Sequence, residues 1–179
     1  VETLIVDSRA AAFDPYVVAT VRNAEALFIA GGDQANYVRY WKGTPLEDAI
    51  HFVAAKPAPI GGTSAGMAIL GEFSYSAMTP DSLTSATALA DPYAPDVTLE
   101  RDFLDLPGLR GLLTDQHLQE RDRVGRTVTL LARLLHDGWT TEARAIAADR
   151  ETSVHIDPVT GIAEVFATAD HPTPYAYFM

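Results

Sequence analysis

Short apolar segments that end in glycines alternate along the chain with segments of helical pattern, and this alternation constrains the fold most. "EALFIAGGD" and "APIGG" are compact apolar runs of the kind that form buried parallel strands. Helical patterns surround them: "DPYVVATVRNA", with Asp14 predicted as N-cap and Pro15 as first helical residue, then "NYVRYWK", "TPLEDAIHFVAAK" and "SAGMAILG". With "VETLIVD" as an opening strand, the order predicts an α/β fold with three α/β/α layers and a mostly parallel sheet.

The rest of the chain continues this pattern and contains no linker. The spacing predicts a strand at "RGLLTDQH", a long helix over "LQERDRVGRTVTLLARLLHDG" and short strands in the tail, with a loop-like stretch from Pro80 to Pro107. We therefore predict one domain over residues 1–179. The net charge of −11 argues against nucleic acid and anionic membranes as partners. No metal-ligand spacing or phosphate loop is visible, so neither a metal nor a cofactor is expected.

The segment "GGTSAG", directly after the predicted strand "API", contains a candidate nucleophile. Residues 62–66 fit the G-x-S-x-G pattern of a nucleophile elbow, in which a serine lies on a sharp turn between a strand and a helix. The N–H of Ala65, at the start of that helix, is placed to stabilise an oxyanion. The alternative is a tight structural turn without a catalytic role. The predicted strand before and helix after favour Ser64 as a nucleophile.

The segment "GGDQ" ends the preceding predicted strand. Ligands of open parallel sheets bind beyond the carboxyl ends of the strands, so this turn and Ser64 should open on the same edge. The glycine N–H groups, Gly32 included, are candidates for a second oxyanion donor, and Gln34 for a partner of a substrate carbonyl or amine. The alternative is a turn in which Asp33 only caps a helix.

The segment "TDQH" should bring Asp115, Gln116 and His117 to the same edge. Of the five histidines, only His117 falls at a strand's carboxyl end after the serine. A histidine titrates near neutral pH, so His117 is predicted as the base that activates Ser64. The alternative is a histidine at a helix start that bonds its own turn.

Three arginines follow His117 within a few residues. Guanidinium groups at the mouth of a site would favour a substrate that carries carboxylates. The residues alone favour a solvated helix face that pairs with neighbouring acids. These arginines are Arg121, Arg123 and Arg126.

Together, "GGDQ", "GGTSAG" and "DQHLQERDRVGR" resemble the cyanophycinase and aspartyl dipeptidase family of serine peptidases, and its cyanophycinase-like members most closely. The resemblance covers most of the chain. It implies a fold similar to the class I glutamine amidotransferases and a tendency to form homodimers. It also implies an exopeptidase that hydrolyses aspartyl or β-aspartyl peptide bonds through an acyl-enzyme, with a cyanophycin-like polymer or an aspartate-containing peptide as substrate.

The resemblance also assigns roles to residues. Ser64 would be the nucleophile and His117 its base, with an oxyanion hole formed by the N–H groups of Gly32 and Ala65. The resemblance implies that the three arginines after His117 are site residues. The pocket that binds aspartate would be lined by Asp33, Gln34, Asp115, Gln116, Arg121, Arg123 and Arg126.

The chain departs from the family's pattern at the acid that orients the histidine. The family places this acid between serine and histidine, where this chain has Ser76, and the nearest acids are Glu72 and Asp81. In "ADRET", Arg150 stands where relatives often have an acid. An inactive or weakly active relative that binds acidic peptides therefore stays an alternative. So does an α/β-hydrolase-type esterase, which shares the serine motif but should carry an HGGG-like loop.

Family members carry further strands and helices before the segment that matches "VETLIVD". We therefore expect this domain to lack its N-terminal strands and helices. The protein is expected to be soluble, and the sequence leaves open whether it is cytoplasmic or secreted.

Overall fold

A computed structural model of the chain describes residues 1–56 and 58–179 and shows a mixed α/β fold. From α1 onward, the first half alternates helices and strands as the sequence predicts. Its strands β1 and β2 are parallel, with Ile29 opposite Gly62. The helices are α1 (Pro15–Asn23), α2 (Gln34–Trp41), α3 (Pro45–Ala55) and α4 (Ala65–Ala68), and the strands are β1 (Leu27–Ile29) and β2 (Ile60–Gly62).

The start of α1 shows why these helices form where they do. The carboxylate of Asp14 accepts a hydrogen bond of 2.8 Å from the N–H of Tyr16, and Pro15 occupies the first helical position. Val17 and Val21 are buried on the inner side of the helix. They belong to an apolar core that α1 shares with α3 and with Trp41 of α2. The predicted cap and helix start are both confirmed.

The prediction of a strand at "VETLIVD" is wrong. Residues 1–7 have no regular secondary structure, because no described strand offers their backbone a hydrogen-bonding ladder. The apolar side chains of Leu4 and Val6 still pack against the core of α1 and α3, and the carbonyl of Val6 accepts a hydrogen bond from the indole of Trp41.

The second half has its own sheet. Here β5 pairs with β6 in parallel and β6 pairs with β9 antiparallel, while β7 and β8 form a separate antiparallel hairpin. The strands are β3 (Ser74–Tyr75), β4 (Leu99–Glu100), β5 (Leu112–Gln116), β6 (Arg144–Ala148), β7 (Thr152–Ile156), β8 (Ala163–Ala167) and β9 (Ala176–Phe178). The described strands thus lie in separate small sheets, and a single parallel sheet within three layers stays a prediction.

Two helices complete the second half, α5 (Ser85–Ala90) and α6 (Val124–His136). Helix α5 was not predicted: its N-cap Thr84 lies within the stretch from Pro80 to Pro107, which the sequence predicts as a loop. Helix α6 begins later than predicted, so the residues between His117 and Val124 form turns instead of a helix face.

A threonine joins the two halves next to the serine motif. The hydroxyl of Thr114 in β5 donates to the carbonyl of Ala68 at 3.2 Å and accepts from the N–H of Gly71 at 3.0 Å. A side chain at Gly71 would collide with the carbonyl of Leu112, so the chain that leaves α4 runs directly against β5. This contact sets the end of β2 beside the end of β5. The serine after β2 and the histidine after β5 are therefore brought close together.

Candidate active site

Ser64 lies on a strained turn between β2 and α4. Its φ of 52° and ψ of −120° are unusual for a residue with a side chain. The turn is held by a 3.0 Å bond from the N–H of Thr63 to the carbonyl of Ile29 in β1. A Cβ at Gly66 would lie 2.2 Å from that same carbonyl oxygen, so only glycine fits. Such strain costs about 1–3 kcal/mol and exposes the serine hydroxyl at the strand end.

His117 lies directly beyond the end of β5 and faces the serine. Its Nε2 is 3.2 Å from the Oγ of Ser64. The backbone of His117 has a φ of 53°, and its N–H donates to the carbonyl of Ala148 at the end of β6 at 3.0 Å. Serine and histidine are therefore within hydrogen-bond reach, each held in a rare backbone conformation.

The surroundings of His117 favour the neutral ring that a general base needs. Burial lowers the pKa of His117 below its ordinary value, and the charge of Arg121 lowers it further. Glu120 acts in the opposite direction: its Oε2 lies 3.7 Å from Nδ1 of the ring.

The Gly31–Gly32 turn adjoins the serine. A Cβ at Gly31 would lie 3.1 Å from Cβ of Ser64, so the turn passes close to the nucleophile. The hydroxyl of Tyr37 donates to the carbonyl of Ala30 at 2.9 Å and fixes the start of this turn. The turn therefore passes directly beside Ser64, and an oxyanion hole formed by the N–H groups of Gly32 and Ala65 stays a prediction.

A cavity of about 360 Å³ opens beside Ser64. Its walls come from the Gly32 turn, from the end of β5, from the turns after His117 and from the segment between Tyr75 and Ser82. Of the predicted site residues, those that line it are Gly32, Asp33, Gln34, Ser64, Gln116, Arg121 and Arg123.

Known proteins resemble this chain in both sequence and fold. Residues 6–92, just under half of the chain, match Peptidase family S51. The cyanophycinases of Synechococcus elongatus and Thermosynechococcus vestitus are each 29% identical over 133 residues, which cover 74% of this chain and 38% of the relative. The resemblance to the cyanophycinase-like peptidases is confirmed.

A solved structure supports the mixed α/β fold. A crystal structure of a peptidase from an acI-B1 Actinobacterium superposes with a TM-score of 0.58 at 18% identity, covering 83% of this chain and 52% of that chain. The chain spans only 38% of the length of the cyanophycinases it matches.

The pocket residues implied by the resemblance to cyanophycinases differ in exposure. Arg121 is exposed at the cavity. Arg123 is buried in the cavity wall, where one nitrogen donates to the side chain of Gln116 at 2.9 Å, and burial lowers its pKa to about 10. Gln34 is buried and donates to the carbonyl of Tyr75 at 3.3 Å. All three can present polar groups to a substrate.

Two predicted pocket residues lie elsewhere. Asp115 and Arg126 are buried beneath the cavity and form an ion pair with each other, with Nε of Arg126 3.2 Å from Oδ2 of Asp115. Thr127 donates to the same carboxylate at 2.8 Å. Their charges satisfy each other inside the fold, so they can support the pocket wall but do not line it. Asp33 lines the cavity and also caps α2 by accepting from the N–H of Ala35 at 2.9 Å.

Several residues of the site were not predicted from the sequence, and two of them bear on its chemistry. Tyr75 lines the cavity, and the guanidinium of Arg126 lies 4.7 Å from the centre of its ring. Glu120 is the carboxylate beside His117, and it follows the histidine by three residues in a segment taken for a helix face. The turn after His117 brings it back toward the ring.

The residues that the structure describes include no group of three or more metal-ligating side chains. Among them, none of the helices combines the length and apolarity needed to cross a membrane.

Proposed function

We propose that this chain carries the catalytic centre of a serine peptidase that hydrolyses aspartyl or β-aspartyl peptide bonds through an acyl-enzyme on Ser64. The observation that carries the proposal is the 3.2 Å separation between Oγ of Ser64 and Nε2 of His117, with the serine on a strained elbow. The similarity to cyanophycinases supports the aspartyl substrate class.

The proposed reaction follows from this geometry. Oγ of Ser64 attacks the carbonyl carbon of the scissile bond while Nε2 of His117 takes the hydroxyl proton. The carbonyl oxygen becomes an oxyanion, stabilised by the N–H groups of Ala65 and Gly32. The C–N bond then breaks as His117 returns its proton to the leaving amine. Water then attacks the ester while His117 takes its proton, and His117 returns that proton to Oγ as the ester bond breaks and frees Ser64.

Substrate recognition is proposed to rest on the arginine side of the cavity. Arg121 is exposed there, and Arg123 is held in place by its bonds to Gln116. Guanidinium groups bind carboxylates in bidentate fashion, so they suit the free carboxylate of an aspartyl residue. Gln34 would hold a neighbouring carbonyl or amine.

A serine-directed covalent inhibitor tests the nucleophile. We expect one adduct by intact mass, mapped to Ser64, and cleavage of either a β-Asp-Arg polymer or an Asp-X dipeptide. Ser64→Ala should abolish both adduct and cleavage but retain substrate binding. Ser153→Ala, at an exposed serine of β7 that does not line the cavity, is the matched control and should keep both. Binding without turnover in the unaltered protein would instead favour a non-catalytic peptide-binding relative.

The finer architecture is also a proposal. We infer that residues 1–179 form one domain with the three-layer arrangement of the class I glutamine amidotransferases, and that the protein forms homodimers as the resemblance implies. The parallel pairs β1–β2 and β5–β6, whose carboxyl ends meet at Ser64 and His117, support this arrangement. Light scattering of the purified chain tests the dimer.

A further inference from the structure

His117 needs a partner on its second ring nitrogen, and the sequence left that partner open. The two acids considered there lie in other surroundings. Glu72 accepts from the N–H of Gly111 at 2.6 Å and lines a different cavity. Asp81 is exposed on the cavity wall, in the segment that follows Tyr75. The carboxylate that faces Nδ1 of His117 is that of Glu120.

The two oxygens of Glu120 have separate partners. Oε1 accepts a 2.8 Å hydrogen bond from the N–H of Arg150, whereas Oε2 points toward Nδ1 of His117 at 3.7 Å. The side chains of His117 and Glu120 are only 23% and 28% exposed, so their interaction is partly shielded from water.

The end of β6 holds the whole turn in this position. Three hydrogen bonds join the turn to residues 148–150. The N–H of His117 donates to the carbonyl of Ala148 at 3.0 Å, and the N–H of Gln119 donates to Oδ1 of Asp149 at 2.8 Å. The third is the bond from the N–H of Arg150 to Glu120. Oδ2 of Asp149 in turn accepts from the hydroxyl of Tyr177 in β9 at 3.0 Å. A flexible surface acid would not have this support.

We propose that Glu120 is the positioning acid of the site, fixed by the N–H of Arg150 and acting on Ser64 through His117. This inference rests on the proposed peptidase function. With Oε2 facing Nδ1, the ring carries its proton on Nδ1 and leaves Nε2 free to accept the proton of Ser64. When that proton arrives, the carboxylate stabilises the imidazolium. We expect the 3.7 Å separation to shorten to a hydrogen bond once substrate is bound, as catalytic hydrogen bonds often do.

The charges around the ring agree with this role. Arg121 and Arg123 both lower the pKa of His117, and Glu120 opposes them. Burial raises the pKa of Glu120 itself, but the hydrogen bond from the N–H of Arg150 opposes it, and the pKa lies below its ordinary value. The lowered pKa of Glu120 favours the ionised carboxylate that an imidazolium needs as its partner.

Glu120→Gln tests the proposal, because it keeps the shape and the Arg150 bond but removes the charge. NMR of ¹⁵N-labelled histidines follows the ring of His117, assigned with a His117→Gln spectrum. A Coulomb interaction over 3.7 Å at the dielectric constant of water predicts that the pKa of His117 falls by about 0.8 or more. Loss of an orienting acid should lower kcat by up to about 10⁴-fold with little change in KM.

Two further variants separate positioning from mere folding. Glu120→Asp keeps the negative charge but moves it away from the ring of His117. It should recover part of the lost kcat and part of the fall in the pKa of His117. Glu151→Gln is the matched control: this nearby acid pairs with His171 at 2.8 Å, so its loss should leave both readouts unchanged.

An unchanged pKa of His117 in Glu120→Gln, or a kcat within about threefold of the unaltered protein, overturns the proposal. If the unaltered protein gives no adduct and cleaves no substrate, the peptidase function itself fails. The NMR titration then still decides whether Glu120 and His117 are paired, since it needs no turnover.

Discussion

Arg126 is a fully buried cation, and its loss should destabilise the protein strongly. Its side chain is 1% exposed and pairs with the Asp115 carboxylate, which is 2% exposed and also accepts from Thr127. Arg126→Met would leave the Asp115 charge buried without its cation, which costs about 3–5 kcal/mol. For a domain of this size, that corresponds to a fall of about 8–13 °C in Tm. Calorimetry and urea denaturation at pH 7 measure both quantities.

A control and a double variant test the reasoning. Arg121→Met removes an exposed cation from the same segment and should change stability by less than about 0.5 kcal/mol. Adding Asp115→Leu to Arg126→Met removes the unpaired charge and should recover at least about 1 kcal/mol. A loss below about 1 kcal/mol in Arg126→Met alone would show that the pair is not buried as described.

Two further predictions concern the elbow and the base. Gly66→Ala should lower the free energy of unfolding by more than about 2 kcal/mol, because its Cβ would lie 2.2 Å from the carbonyl oxygen of Ile29. Gly161→Ala is the control: this glycine has a φ of 70° and open space around it, so the same denaturation assay should show a loss of only about 1 kcal/mol. Because burial lowers the pKa of His117 and the neutral ring is the base, the acid limb of kcat/KM should have its midpoint below the ordinary histidine value; a midpoint above that value would contradict the neutral-base assignment.

Local signals in the sequence were enough for several elements. The Asp14 cap and Pro15 predict the start of α1 correctly, because the interactions that begin a helix lie within one turn. The glycines of "GGTSAG" predict a tight turn for a similar reason: the crowding they relieve comes from the strand and helix they join. The missed helix α5 shows the limit, since its inner residues Ser85 and Ala88 give a weak apolar pattern.

The apolar pattern of α6 was misleading about burial. Val124, Val128, Leu131 and Leu135 recur at helical spacing in the sequence, yet Val124, Val128 and Leu135 are between 44% and 49% exposed. The buried side carries Arg126 and Thr127 next to Leu130. From sequence alone, arginine is predicted to lie at the surface, because burying its charge is costly unless a partner is present. That partner is Asp115, which lies in strand β5 and not in the helix.

The sequence by itself determined the serine motif, the order of helices and strands from α1 to α4 and the histidine at the end of β5. Each depends on neighbours in the chain or on the rule that parallel strands end at one edge. Only the tertiary structure decided that Arg126 supports the pocket from below and that Glu120 faces His117. Both outcomes depend on groups from separate segments, Asp115 of β5 and the backbone N–H of Arg150 after β6, whose positions local propensity does not encode.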